Sequence, residues 1–171
     1  MAHPSDLAPA LAALEASVII ASFEGERNMT LQDFFTPAND FTETVLKPGE
    51  FLTGVQVQNP KGKTYQCFLK HRIRHASDFA LSSVATVARI MDGVCEDILI
   101  VLGGIATFPY MASAAAEILK GRKLTEKLIS QAAAASVEEA HPLPQNRYKI
   151  DLTTALVRNA MTSMWHKSSG I

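Results

Sequence analysis

The sequence contains little cysteine. Its 171 residues include only Cys67 and Cys95, which do not form a CxxC pair. Two isolated thiols argue against a disulfide framework, a structural zinc site or an iron–sulfur cluster held within this chain. We therefore expect both cysteines to be reduced, as is usual in the cytosol.

The sequence also lacks a strong charge of either sign and any long apolar run. A formal net charge of −1 gives no electrostatic reason to bind nucleic acid or an anionic membrane. No stretch approaches the roughly 20 apolar residues that span a bilayer. The start, MAHPSD, has neither the basic nor the apolar part of a secretory signal. These features predict a cytoplasmic protein without a membrane span.

Familiar catalytic motifs are missing as well. The sequence has no GxSxG, HExxH or Walker loop and no GxGxxG fingerprint. His71 and His75 have a spacing that suits a shared metal ion only on a helix, whereas their segment is predicted to be strand and turn. The sequence therefore predicts no catalytic residue and no metal site.

A central β-hairpin is the clearest structural pattern. Two apolar runs at 79–90 and 94–102 flank an Asp-Gly dipeptide at 92–93. This dipeptide predicts a tight turn, because glycine tolerates positive φ and a primed turn matches the twist of the strands. Two glycines at 103–104 end the second strand and suggest a bulge or a close approach of the backbone.

Other strand patterns precede the hairpin, and helical patterns follow it. A short helix is expected to begin at Ser5 or Asp6. Further strands are predicted at 16–23, 27–31, 51–57 and 64–69, and helices at 112–120, 125–140 and 147–167. Because the crossover helices of a parallel sheet are missing, this order predicts an α+β fold. We expect an antiparallel sheet with a three-helix layer on one face.

A basic segment, KHRIRH at 70–75, leads into the hairpin. One interpretation is a solvated strand end whose two arginines pair with Asp78 or Glu96. The other is a positive edge above an anionic or electron-rich ligand, with Lys70 pointing inward. Composition and spacing favour the first interpretation and leave the second open.

Four longer stretches carry a resemblance to a known family. They are HPSDLAPALAALEASVIIAS, LKPGEFLTGVQV, YQCFLKHRIRHASDFALSSVATVARI and LGGIATFPYMASAAAEILKGRKLTE. The ending NRYKIDLTTALVRNAM is similar to the closing helix of the same family. In this order they cover nearly the whole chain. The chain resembles the FAD-binding (medium) subunit of molybdenum hydroxylases, of the xanthine dehydrogenase and aerobic carbon monoxide dehydrogenase type.

The resemblance implies a flavin subunit that passes electrons from iron–sulfur clusters through FAD to an acceptor. The molybdopterin and the clusters would lie on other subunits or domains. Asp6 matches the acidic residue of the family's SDL motif, which contacts the cofactor. Leu52 matches the apolar residue that packs beside the isoalloxazine ring, and Lys70 matches the strand lysine near that ring. A positive charge at this lysine would stabilise reduced, anionic flavin and raise its potential.

The resemblance also divides the chain at residue 60. Residues 1–60 would be the trailing, incomplete part of a FAD-binding domain, and 61–171 the C-terminal domain of the flavoprotein. In the family, glycine-rich loops that hold the pyrophosphate precede the SDL motif, and this sequence begins just before Asp6. We therefore expect the chain alone to bind FAD weakly or not at all, and to be inactive as an isolated enzyme.

A second interpretation is a non-catalytic docking domain that binds no flavin by itself. In that case partner subunits would contact the face of the last helix that carries Met161, Met164 and Trp165, although core packing also suits these residues. Under either interpretation, an incomplete sheet leaves edges unpaired and apolar surface uncovered. We therefore expect a homodimer or a partner chain.

Overall fold

The described part of the chain forms two antiparallel sheets and five helices. The computed structural model describes residues 2–35, 42–60, 62–74 and 78–170. Within these ranges, strands dominate the first two thirds of the chain and helices the last third. The predicted α+β class is confirmed.

The first sheet has three strands. They are β1 (Ser17–Ser22), β2 (Gly25–Thr30) and β3 (Phe51–Gln56), in the order β2-β1-β3. Two short helices accompany them, α1 (Leu7–Ala13) and α2 (Leu31–Phe34). The N-cap residue of α1 is Asp6, and the capping hydrogen bond comes from the preceding residue, because the backbone N–H of Ala8 donates to Ser5 Oγ at 3.0 Å.

The second sheet is larger and contains the predicted hairpin. Its main strands are β4 (Tyr65–His71), β5 (Ser82–Met91), β6 (Val94–Gly103) and β7 (Tyr110–Met111), in that order. The short strand β8 (Arg122–Lys123) also pairs with β6.

The hairpin turn has the predicted geometry. Met91 pairs with Val94, and the intervening Asp92 and Gly93 have φ angles of 51° and 76°. Positive φ at both central residues defines a turn of type I′, which suits the right-handed twist of β5 and β6. The Asp-Gly signal therefore identified the turn correctly.

Three helices cover one face of the second sheet. They are α3 (Ser113–Leu119), α4 (Glu126–Ala135) and α5 (Tyr148–Ser169). The side chain of Thr125 caps α4 by accepting from the N–H of Leu128 at 3.2 Å. α4 ends at Ala135, five residues earlier than predicted. Ser136 Oγ donates to the Ala133 carbonyl. The N–H groups of Val137 and Glu138 then donate to carbonyls three residues earlier, and not four as in an α-helix. The α-helix therefore does not continue.

The helix layer and the sheet enclose the main hydrophobic core. Ile100, Leu102, Leu119 and Ile129 are each 1% exposed or less, as are other members of this cluster. Met161 and Met164 of α5 are also buried in it, and Trp165 packs against it. The helix face that the docking interpretation assigned to a partner is therefore occupied by the protein's own core.

The opposite face of the second sheet packs against α1 and the first sheet. Ala12, Val18 and Ile20 form a second apolar cluster with Ala85 of β5 and Val101 of β6. Strand alternation explains the arrangement, because every second side chain of β5 and β6 points away from the helix layer. This second cluster holds the two sheets together and fixes α1 above the larger one.

Candidate functional site

The structure brings two of the three predicted cofactor-binding residues into contact. Lys70 lies on β4, and Asp6 is the residue that immediately precedes α1. The Lys70 ammonium donates a hydrogen bond to Asp6 Oδ2 and forms an ion pair with it. The Lys70 side chain is only 16% exposed, whereas that of Asp6 is 40% exposed. The pair therefore lies at the edge of the interior, where part of the Asp6 side chain is exposed although its Oδ1 atom is buried.

Strand alternation explains why Lys70 points towards α1. Cys67 and Leu69 pack against the core under the helix layer. Successive side chains of a strand point to opposite faces, so Lys70 points to the other face, over which α1 begins. The inward lysine of the second interpretation is therefore present.

A row of three cross-strand neighbours forms the floor of the site. Lys70 pairs with Ser83 of β5, and Ser83 pairs with Gly103 of β6. Directly opposed residues share a face of the sheet, so this row lies under the start of α1. Ser83 is fully buried there. Sequence reasoning missed Ser83, and the only available signal was a Ser-Ser dipeptide at 82–83 inside an apolar strand.

Two buried oxygens at this site have no hydrogen-bond partner within the described part of the chain. They are Asp6 Oδ1 and Ser83 Oγ. A buried polar oxygen without a partner costs free energy, so a ligand that donates to it would bind with an advantage. An isoalloxazine ring offers both N–H donors and carbonyl acceptors on one edge. The Asp6 carboxylate as acceptor and the neighbouring Lys70 ammonium as donor fit this edge of the ring.

Leu52, the third predicted residue, lies in the other sheet. It belongs to β3, pairs with Ile20 and is 41% exposed. Phe51 and Val55 on the same strand are also exposed, at 60% and 41%. β3 is an edge strand of the first sheet as far as the described residues show. Leu52 is thus available to a ligand or a partner chain.

The residues of the basic segment 70–75 agree partly with a solvated strand end and partly with a positive edge above a ligand. Arg74 donates from Nε and Nη2 to the carboxylate of Asp78 at 3.1 and 3.3 Å, as the first interpretation predicts. This guanidinium lowers the pKa of Asp78. Glu96 instead lies 3.6 Å from Arg89 Nε. His75, which has metal-like spacing from His71 only on a helix, lies outside the described residues.

A separate cavity of about 210 Å³ lies where α5 begins. Its polar lining includes Lys149, whose ammonium donates to the Gly104 carbonyl at 2.8 Å, and Tyr110, whose hydroxyl donates to Glu139 at 3.0 Å. Burial lowers the pKa of Lys149. Sequence reasoning did not identify this cavity, because a single lysine in an amphipathic helix gives no distinctive pattern.

Two family models match the chain. One is described as the CO dehydrogenase flavoprotein C-terminal domain and matches residues 67–165. The other is described as the FAD binding domain in molybdopterin dehydrogenase and matches residues 1–60. The chain therefore belongs to the CO dehydrogenase flavoprotein family. The predicted resemblance to molybdenum hydroxylase flavin subunits is confirmed, and so is FAD as the cofactor of the family.

Named relatives agree with this assignment. The glyceraldehyde dehydrogenase medium chain of Sulfolobus acidocaldarius is 32% identical over 143 residues, which are 84% of this chain and 49% of the relative. The FAD-binding subunit of an aldehyde oxidoreductase from Escherichia coli is 34% identical over 152 residues, 86% of this chain and 44% of the relative. The chain thus spans about half the length of these relatives.

Solved structures show the same fold. A carbon monoxide dehydrogenase from Hydrogenophaga pseudoflava superposes with a TM-score of 0.82 at 25% identity, over 94% of this chain and 59% of that chain. Quinoline 2-oxidoreductase from Pseudomonas putida gives a TM-score of 0.81 at 25% identity, over 98% of this chain and 59% of that chain.

In the described parts of our chain, no helix combines the length and apolar character needed to cross a bilayer.

Proposed function

We propose that this chain forms part of the FAD-binding subunit of a molybdenum hydroxylase and supplies Asp6, Leu52 and Lys70 to the flavin site. FAD would accept electrons from iron–sulfur clusters on partner subunits and pass them to an acceptor. The observation that carries the proposal is the Asp6–Lys70 ion pair, with an unpartnered Asp6 oxygen beside it. Membership of a flavoprotein family supports it.

Each proposed residue has a role that follows from its chemistry. The Lys70 ammonium places positive charge beside the ring, which favours added negative charge there. Asp6 fixes the direction of that ammonium through Oδ2 and offers Oδ1 to a donor on the ligand. Leu52 presents an exposed apolar side chain that suits the ring surface. When bound, FAD itself would supply the redox chemistry.

The proposal extends to the organisation of the chain. Residues 1–60 would form part of the FAD-binding domain and 61–171 the C-terminal domain, with the first and second sheets falling on either side of this boundary. We further propose a cytoplasmic location, molybdopterin-binding and iron–sulfur subunits as partners, and weak or absent FAD binding by the chain alone. The named relatives are subunits, which supports partner chains.

The docking alternative keeps one supporting observation. The exposed edge of β3 carries Phe51, Leu52 and Val55, and an exposed apolar edge favours association with another strand. A second copy of the chain or a partner subunit would cover it. Sedimentation at tens of micromolar, an order-of-magnitude choice, tests this. A dimer would support the association, and a monodisperse monomer would argue against self-association.

An absorption spectrum tests the flavin proposal. The purified chain is incubated with excess FAD, desalted and scanned, in parallel with a chimera that carries the amino-terminal part of the Sulfolobus acidocaldarius medium chain. We expect a shifted flavin band in the chimera and a weak band or none in the chain alone. If the chimera loses FAD while the intact relative retains it, the chain does not complete a flavin site.

A further inference from the structure

Gly103 of β6 lies directly against Pro9 of α1. A Cβ built on Gly103 would overlap Ser83 Oγ and would lie 2.6 Å from Pro9 Cγ. Non-bonded carbon atoms do not approach this closely, so a side chain at residue 103 must displace one or both neighbours. The absence of a side chain therefore sets the distance between the helix and the sheet.

The two neighbours differ in how they can respond. The Ser83 hydroxyl can rotate about χ1, although the residue is fully buried. The ring of Pro9 is closed onto its own backbone and has no comparable freedom. Pro9 is also buried within α1. Additional bulk at residue 103 would therefore shift the first turn of α1 as a unit.

The position of Asp6 depends on that first turn. Asp6 is the N-cap residue of α1, three positions before Pro9, and its Oδ2 accepts from Lys70. Lys70 is fixed by β4, where it pairs with Ser83 in the row that ends at Gly103. Movement of α1 would therefore move Asp6 relative to Lys70.

We propose that Gly103 is a positioning residue for the Asp6–Lys70 pair. Its bare backbone lets α1 lie close enough to the sheet for the carboxylate to meet the ammonium. The hydrogen bond from the His3 N–H to the Ala106 carbonyl, at 2.8 Å, holds the preceding segment in the same place. That this placement also governs flavin binding rests on the function proposed above.

An alanine at residue 103 tests the available space without straining the backbone. The neighbouring Gly104 would not allow such a test, because its φ is 73° and a Cβ there would lie 2.8 Å from the Ala80 carbonyl oxygen. Both conformation and space therefore require glycine at residue 104. Gly103 is not among the positive-φ glycines, so an alanine backbone is compatible with its conformation. The effect of Gly103→Ala is therefore steric.

The test is a double-mutant cycle on the ion pair, measured by urea unfolding of the full chain. Asp6→Asn, Lys70→Met and the double variant are made first in the wild-type background and then with Gly103→Ala. We expect the coupling between the two residues to fall by more than half with Gly103→Ala. Gly54→Ala is the control, because its Cβ would meet only the Ile19 side chain, at 3.3 Å in the other sheet.

Rescue distinguishes positioning from a general loss of stability. Adding Pro9→Ala and Ser83→Ala to Gly103→Ala removes both overlapping atoms, and we expect the coupling to return towards its wild-type value. If Gly103→Ala alone does not fold, the coupling measured in the triple variant still tests whether Gly103 positions the ion pair. A folded triple variant with wild-type coupling supports the proposal. An unchanged coupling in Gly103→Ala, or a triple variant that is unfolded or uncoupled, overturns it.

Flavin binding is measured separately in the chimera. If Asp6 and Lys70 contact the flavin, Gly103→Ala should weaken FAD binding at least tenfold, and the triple variant should recover it. If the coupling falls but FAD binding does not change, the positioning role of Gly103 stands and the proposed flavin contact is wrong. The two claims can therefore fail independently.

Discussion

Ser82 and Thr153 share a buried hydrogen bond of 2.7 Å between their side-chain oxygens, which joins β5 to α5. Both residues are at most 1% exposed. The bond satisfies two hydroxyls that would otherwise lie unpartnered between sheet and helix layer. It also attaches the last helix to β5 beside Ser83, whose own side chain lies on the opposite face of the sheet, on the floor of the proposed flavin site.

Thr153→Val removes one partner of this bond while keeping the shape of the side chain. We expect a loss of about 1–3 kcal/mol in the free energy of unfolding, because the Ser82 hydroxyl is left buried and unpaired. Adding Ser82→Ala should recover most of the loss. Urea unfolding of the single and double variants measures both effects, and a double variant less stable than either single one would contradict this account.

Lys70→Met removes the positive charge from the proposed flavin site. We expect the reduction potential of bound flavin to fall, on the order of tens of millivolts, because reduction adds negative charge near the missing ammonium. Lys70→Arg should retain most of the wild-type potential. Spectroelectrochemical titration of the FAD-loaded chimera gives the reduction potentials. An unchanged potential in Lys70→Met would show that the Lys70 ammonium does not lie beside the flavin ring.

Asp6→Asn should shift the potential in the opposite direction. The Asp6 carboxylate offsets part of the Lys70 charge, so its removal leaves the ammonium less compensated. We expect a higher flavin potential together with weaker FAD binding, since asparagine keeps an acceptor oxygen but loses the ion pair. Asp151→Asn on the exposed face of α5 is a suitable control. A potential that falls or stays constant would contradict the assigned geometry.

Cys95 should make stability depend on pH in the alkaline range. Burial, with a smaller contribution from the Asp97 charge, raises the pKa of Cys95 from 9.0 to about 11. The unfolded chain therefore loses this proton before the folded one, and stability should fall as pH rises from about 9 to 11. Cys95→Ala should show a shallower decline. Equal slopes for both proteins in urea unfolding would show that the thiol does not contribute.

Leu119 tests the core beneath the helix layer. It is fully buried, whereas Leu143 in the loop before α5 is 69% exposed. We expect Leu119→Ala to cost about 2–5 kcal/mol, because it removes buried methyl groups and leaves a cavity. Leu143→Ala should change stability by less than about 0.5 kcal/mol. Similar effects for the two variants would mean that the helix layer packs less closely than the structure shows.

Local patterns predicted the larger part of the fold. The Asp-Gly turn and the order of strand patterns followed by helix patterns each depend on neighbouring residues, and both were correct, although the two-residue strands β7 and β8 that follow the hairpin were not predicted. The end of α4 was predicted too late. The competing bond from Ser136 to the Ala133 carbonyl is visible only once the helix is built.

The candidate site was less predictable. The resemblance to a family selected Asp6 and Lys70, but no local pattern joins two residues that are 64 positions apart. Ser83 and Gly103 become important only through the register of β4, β5 and β6 and the approach of α1. From the sequence, the glycine pair at 103–104 suggested a bulge or a close approach of the backbone, without identifying Pro9 as the neighbour.

An FAD titration of the chimera tests the central claim most directly. Dissociation constants are measured for the wild-type sequence, Asp6→Asn, Lys70→Met and the control Lys127→Met, whose side chain is exposed on α4 in the opposite layer. We predict at least tenfold weaker binding for the first two variants and no change for the control. Wild-type affinity in both Asp6→Asn and Lys70→Met would contradict the proposal that this ion pair contacts the flavin.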